Sequence, residues 1–357
     1  MLATVESYDE SPRPDDLVVV DAVLSRFLVD KLAIHDDPSV VMFIELLRNF
    51  IEGGKRLRPL LCCCGWRAAC GGRELSPAVA RIAASLELFH AFALIQDDVM
   101  DRSSIRRGAP TVHRVVASRH ADHPHPDWLG DHTAILLGDL ALGWSYELVQ
   151  AADLDAERTA KLWSALDKMR ATTLSGQYLD LAATGMRHVT VENALAIAHR
   201  KTAAYTVEYP LMLGALVAGA NEDVLRACAV YGIAVGEAFQ LSDDLLGVFG
   251  DTSVTGKPIV DDLREGKNTV LLTIAQQRAT PEQRARLDAL VGNPALDEDG
   301  AVEAREIFTA TGARGVTEHM IAERCQRALA VLASTQLYPD GSAMLHRLAV
   351  ETARRQR

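Results

Sequence analysis

The stretch PAVARIAASLELFHAFALIQDDVMD, residues 77–101, decides how this chain folds. It is entered through Ser76-Pro77, an N-cap type of residue followed by a proline suited to the first helical position. Val79, Ile82, Leu86, His90, Ala93, Asp97 and Asp101 then recur at steps of three or four. That spacing is one face of an α-helix, apolar where it begins and acidic where it ends. Unpaired carboxylates on a desolvated face are costly, so this face calls for cations, most simply a hard divalent metal.

The same period runs outward in both directions. Helices are predicted over 16–50, 57–70, 77–101, 131–150, 155–184, 190–219, 222–250, 267–277, 281–290, 299–311, 314–335 and 340–356. Thr280-Pro281-Glu282-Gln283 reads as a capping box. Alternating β-branched runs bounded by turn residues are nearly absent, so the predicted class is all-α. The expected loop is Ala117 to Asp131, where Pro124, Pro126 and Gly130 break the period. No long linker interrupts the helices, so residues 1–357 read as a single all-helical domain with 1–15 flexible.

Composition bounds the function. The 357 residues are 48% hydrophobic and 24% charged, enough apolar material for a buried core. Lys plus Arg number 37 against 48 Asp plus Glu, and a net charge of −11 opposes nucleic-acid binding. Charge-free apolar stretches such as Pro210 to Asn221 and Ala227 to Gly236 fall short of the ~20 residues of a membrane span, so no transmembrane segment is predicted. Met1 to Asp16 is acidic and carries two prolines, unlike a secretory signal, which makes the cytoplasm the expected location. Cys62, Cys63, Cys64, Cys70, Cys228 and Cys325 lack paired C-x-x-C spacing and read as buried thiols. His120, His123, His125 and His132 are interrupted by prolines and are assigned no metal.

Three more stripes follow the logic of the first. Val230, Ile233, Glu237, Gln240 and Asp243-Asp244 again run from apolar to acidic. Leu162, Leu166, Met169, Thr173, Gln177 and Asp180 end polar, and Ala194, Ala198, Lys201 and Tyr205 carry a lysine. Lining one bundle, these faces would enclose an aliphatic shaft with a polar mouth. Magnesium binds through one or two carboxylates plus substrate phosphates, so a diphosphate on a hydrocarbon tail fits such a cavity.

Taken in order, these motifs resemble those of the trans-isoprenyl diphosphate synthases, the polyprenyl synthetase family, over nearly the whole chain. They are Gly53-Gly54-Lys55-Arg56-Leu57-Arg58-Pro59, His90, and Asp97-Asp98-Val99-Met100-Asp101 with Arg106-Arg107-Gly108. Gly176-Gln177-Tyr178-Leu179-Asp180, Lys201-Thr202, Phe239-Gln240 with Asp243-Asp244, Gly256-Lys257 and Gly266-Lys267 complete the series. The resemblance implies a single large antiparallel bundle of the isoprenoid synthase type around a central cavity, forming a homodimer. It implies condensation of an allylic diphosphate with isopentenyl diphosphate, served by three Mg2+ ions. Asp97, Asp101 and Asp243 would hold the metal. Arg106, Lys201 and Lys257 would contact the allylic diphosphate, with Thr202, Gln240 and Lys267 close by. Lys55, Arg58, His90 and Arg107 would hold isopentenyl diphosphate.

The family's second motif has a third aspartate where this chain has Gly247, leaving Asp243 to carry the metal on that side. Phe92 occupies the position where the family commonly places a chain-stopping aromatic, although ideal rotation sets it about 140° from Asp97, at the edge of the pocket face. Ala93, one turn before Asp97, leaves depth. Geranylgeranyl diphosphate is the first expected product, farnesyl diphosphate the second and longer chains the third. A class I terpene cyclase would need an N-D-x-x-S-x-x-x-E motif, absent around Asp243, and an inactive partner subunit would usually lose acidic motifs that are present here. The run Gly250 to Pro258 resembles a phosphate loop only superficially, having five residues between its glycines and a proline after Lys257.

Overall fold

The computed structural model describes residues 15–72, 74–184, 186, 189–250, 263–264 and 266–354. Apart from one short hairpin, its regular elements are helices, as the period predicts. The described residues form two compact units. The first is drawn from Met1–Cys63, Arg73–Asp101 and Val112–Asp153, the second from Cys64–Gly72, Arg102–Thr111 and Leu154–Arg357.

The first unit contains α1 (Asp15–Ile34), α2 (Pro38–Ile51), the start of α3 (Leu57–Cys70), α4 (Pro77–Met100), α5 (Val112–Arg119) and α6 (Pro126–Gln150). The helix predicted over 16–50 is broken, because Pro38 cannot continue it and instead starts α2, capped by Asp37 accepting from Ser39 N at 2.8 Å. The expected loop 117–131 is also shorter than predicted. Pro126 stands at the first position of α6 rather than breaking a helix, and α5 reaches Arg119. Pro77 likewise starts α4, but the Ser76 side chain makes no cap bond there.

Helix α4 packs against α6 and α1. Val79, Ala80, Ile82 to Phe89, Ala91 and Phe92 are all buried, which covers the whole circumference rather than one stripe. A helix enclosed this way is a core helix. Lys31 of α1 is buried beside Phe27 and Trp144 and reaches Glu147 of α6 at 2.6 Å.

The second unit contains a hairpin, β1 (Ile105–Arg106) with β2 (Ala109–Pro110), and α7 (Ala156–Ala183), α8 (Val191–Ala198), a π-helical segment (His199–Glu208), α9 (Tyr209–Val217) and α10 (Glu222–Phe249). Beyond these lie α11 (Val270–Arg278), α12 (Pro281–Leu290), α13 (Glu298–Ala310), α14 (Ala313–Ser334) and α15 (Pro339–Arg354). The predicted capping box forms at α12, with Gln283 N donating to Thr280 Oγ1 at 3.2 Å and Thr280 N to Gln283 Oε1 at 3.0 Å. Helix α10 packs on α14, on the π segment and on α9. Its fully buried Tyr231 donates to Leu345 O at 2.7 Å, tying α10 to α15. Leu241, Leu245, Val248, Leu271, Leu287, Phe308 and Ile321 form the core below its acidic end.

By length and composition α4 and α10 are each apolar enough to cross a membrane, a property that charge-free runs alone did not reveal. Of their apolar windows 78% and 56% respectively are buried inside the protein, which marks both as core helices. The cysteines form no disulfide, and burial pushes the thiols of Cys228 and Cys325 up to about 12 and about 11.

Candidate active site

In the first unit the acidic end of α4 is built as the period predicts. Asp97 and Asp101 are one turn apart, and Asp101 N closes the helix on Asp97 O at 2.8 Å. Both are half-buried, whereas the intervening Asp98 is buried. His90 lies two turns earlier on the same helix and is half-buried.

The Gly53 to Arg58 turn reaches that helix through a residue the sequence reading gave no role. Gly53, Gly54 and Arg56 all have positive φ, at 77°, 82° and 50°. Glycine adopts that region freely and arginine does not, so Arg56 must be held there. Its guanidinium is buried and meets Glu87 of α4 at 2.8 Å and Asp21 of α1 at 2.8 Å. Burial opposes the charge, but Glu87 and Asp21 outweigh it and hold the guanidinium above its usual range. The turn is thereby fixed one helical turn from His90, with Lys55 exposed and Arg58 buried. Phe92 is buried with its ring 5.6 Å from that of Phe89, and Ala93 is half-buried.

In the second unit the Arg106-Arg107-Gly108 motif forms the hairpin, the local exception to an all-helical reading. Ile105 pairs with Pro110 and Arg106 with Ala109, and φ of 53° and 75° at Arg107 and Gly108 closes a two-residue turn. Arg106 sits half-buried in the strand and Arg107 exposed at the tip.

Lys201 and Thr202 lie in the π segment, where at about 4.4 residues per turn a step of three no longer returns to one face, so the predicted stripe breaks between Ala198 and Lys201, while Lys201 and Tyr205, four apart, still share a face. Helix α7 approaches this segment at Gly176, where a side chain would collide with the Lys201 backbone. One turn further along α7, Asp180 reaches Lys201 Nζ at 2.6 Å, with both side chains about four-fifths buried at 20% and 17% exposure. Asn268, beside the exposed Lys267, donates to Ala183 O at 2.6 Å and ties its loop to the same end of α7. On α10, Gln240 donates to Asp244 at 2.9 Å, and Asp243 is exposed. Lys257 lies outside the described residues.

Among the described residues no three His, Cys, Asp or Glu side chains converge into a cage for an ion. Paired carboxylates suit a hard cation that takes the rest of its oxygen shell from phosphates and water, so the donor set fits magnesium held together with substrate. The histidines at 120, 123, 125 and 132 are engaged locally, His132 with Trp128 O at 2.7 Å and His123 with the His125 amide at 3.1 Å.

The chain belongs to the polyprenyl synthetase family, whose model matches residues 41–308. It is 32% identical over 313 residues to the geranylfarnesyl diphosphate synthase of Aeropyrum pernix, covering 87% of this chain and 92% of that one. It is 34% identical to the geranylgeranyl diphosphate synthase of Saccharolobus solfataricus over 72% of this chain and 74% of that one. Among solved structures, geranylgeranyl pyrophosphate synthase from Corynebacterium glutamicum, complexed with isoprenyl diphosphate and magnesium, superposes with a TM-score of 0.89. The two are 40% identical, covering 95% of this chain and 98% of that one.

Proposed function

We propose that this protein is a geranylgeranyl diphosphate synthase, elongating an allylic diphosphate with isopentenyl diphosphate by ionisation, condensation and elimination. The observation that carries the reading is α4, enclosed in core from Val79 to Phe92 and ending in two half-buried carboxylates one turn apart. The 40% identity to the magnesium-bound Corynebacterium glutamicum enzyme supports both metal and product.

In this reading Asp97, Asp101 and Asp243 hold Mg2+, three ions in all. When bound, magnesium supplies positive charge that stabilises the departing diphosphate. Arg106, Lys201 and Lys257 bind the same diphosphate from the protein side, with Thr202, Gln240 and Lys267 beside them, so that charge developing on the leaving group meets fixed donors. Asp180 orients the Lys201 ammonium. Lys55, Arg58, His90 and Arg107 hold isopentenyl diphosphate, the arginine forks matching phosphate oxygens. Apolar side chains around the tail exclude water from the allylic cation. Phe92 closes the space for the growing chain and Ala93 leaves room above it. The chain is read as a single all-helical prenyltransferase domain. The enzyme works in the cytoplasm as a homodimer, for which the exposed Leu174, Tyr178 and Leu181, at one-turn steps along α7, offer an apolar face.

Purified protein is incubated with Mg2+, isopentenyl diphosphate and dimethylallyl, geranyl or farnesyl diphosphate, and the dephosphorylated product is sized by chromatography. Geranylgeraniol is expected from each primer. Farnesol as the end product would overturn the proposed chain length, and product from an allylic diphosphate alone would make the protein a cyclase.

A further inference from the structure

The segment His199–Glu208 is wound as a π-helix and gripped by both neighbours. Gly176 of α7 lies against the Lys201 backbone, Gly236 of α10 against Ala203, and Gly232 of α10 against the Glu208 backbone. One side-chain contact depends on this winding. His199 Nε2 lies 3.5 Å from Glu208 Oε2, with exposures of 25% and 13%. At the ~3.6 residues per turn of an α-helix, residues nine apart point in opposite directions, whereas at about 4.4 per turn nine residues complete two turns and bring them together.

The groups facing this pair come from several elements. Glu237 of α10 faces it, held in turn by Arg324 of α14 at 2.7 Å, and Arg200 acts on His199 from the segment itself. Tyr209 of α9 abuts Glu208 and bonds Thr172 of α7. Burial and Glu237 push the Glu208 carboxyl up to about 7, and burial pushes the His199 imidazole down. Both shifts favour neutral partners over an ion pair, so the contact is that of a protonated acid or neutral imidazole and survives burial.

We propose that Glu208 is a positioning residue which, by meeting His199 across two turns, holds the π winding and so aims Lys201 and Thr202. The proposal rests on the reading of Lys201 and Thr202 as diphosphate contacts. Rewound as an α-helix, the segment would turn each residue by about 18° more, or about 130° from Glu208 back to Lys201. With α9 fixed, that rotation carries Lys201 away from Asp180.

The test uses the full chain with Glu208→Ala, Glu208→Gln, Lys201→Ala, and Glu208→Ala combined with Lys201→Ala. Expected for Glu208→Ala is a loss of about tenfold or more in kcat/KM for the allylic diphosphate, with KM for isopentenyl diphosphate within about twofold. Glu208→Gln, which keeps the contact, stays within about threefold of the parent. The double variant is no worse than Lys201→Ala alone, because one residue acts through the other. Hydrogen exchange supplies a readout apart from activity: amides of 199–208 exchange faster in Glu208→Ala while those in the middle of α7 and α10 do not. Additive losses, or unchanged exchange in the segment, would overturn the proposal. Full activity of Lys201→Ala would instead remove the diphosphate role of Lys201, leaving exchange to decide the winding. Should Glu208→Ala not fold, His199→Ala undergoes the same measurements with the same expected outcomes.

Discussion

Arg56 Nη1 and Glu87 Oε2 meet at 2.8 Å in the interior of the first unit, with side-chain exposures of 8% and 6%. The pair joins a turn rich in positive φ to the helix that carries Asp97 and Asp101. Removing one partner strands a buried charge, whereas removing both leaves a volume that apolar groups can fill.

Arg56→Met is therefore expected to lose about 3–5 kcal/mol of stability, and Arg56→Met with Glu87→Leu to regain part of it, since Asp21 still loses its bond to the guanidinium, both read from urea midpoints. In the single variant KM for isopentenyl diphosphate rises more than kcat falls, because the turn carrying Lys55 and Arg58 is released. An unchanged midpoint would mean the guanidinium does not hold the turn.

Much of the architecture was legible because its signals are local. Thr280 and Gln283 specify the start of α12 within four residues, and α3 was bounded by its own apolar period. The break before Pro38 and the start of α6 at Pro126 are equally local but depart from the expected boundaries, since proline starts helices as readily as it ends them. The motif residues could be read as strings. Their supports could not: Glu87 stands 31 positions from Arg56, and Glu208 finds His199 only in a winding that a 3.6-residue period cannot anticipate.

Asp97→Ala and Asp101→Ala should each remove most turnover while leaving circular dichroism and melting nearly unchanged. Both side chains are half-buried at the end of α4, so they contribute little packing, and metal held with substrate is their assigned load. Near-normal rates at saturating Mg2+ in either variant would contradict the metal assignment.

Glu208 should leave a signature in stability against pH. Its folded value of about 7 lies above the 4.5 of an ordinary glutamate, so the folded state binds the proton more tightly. Its contribution is complete below pH 4.5, declines as pH rises toward 7 and is flat above. His199, lowered by burial, acts in the opposite sense below its usual 6.5, so the total profile mixes the two. The difference between Glu208→Gln and the parent isolates the acid. That difference should shift in favour of the variant by on the order of 2 kcal/mol between pH 5 and pH 8. A pH-independent difference would mean that Glu208 titrates normally.

Gly247 stands one turn beyond Asp243 on α10 and is half-buried. Gly247→Asp adds a carboxylate at that spacing and improves helix propensity by about 0.3 kcal/mol. The Mg2+ concentration for half-maximal rate is expected to fall severalfold with kcat within about twofold of the parent. An unaltered Mg2+ dependence would indicate that this end of α10 does not face the metal.

Phe92 has two roles to separate, since a buried ring supports the core whether or not it also meets the prenyl tail. It is 7% exposed and stacks obliquely on Phe89, which is 2% exposed. Truncating either ring to alanine should cost about 3–5 kcal/mol, so loss of stability alone decides nothing. Chain length does. If Phe92 closes the space below Asp97, Phe92→Ala admits at least one further five-carbon unit, and the dephosphorylated product runs longer than geranylgeraniol at every primer tested. Phe89→Ala opens comparable volume three residues earlier and, acting only on the core, keeps the parent product. A longer product from Phe89→Ala with an unchanged one from Phe92→Ala would reverse the assignment, and unchanged length in both would put the floor on another helix.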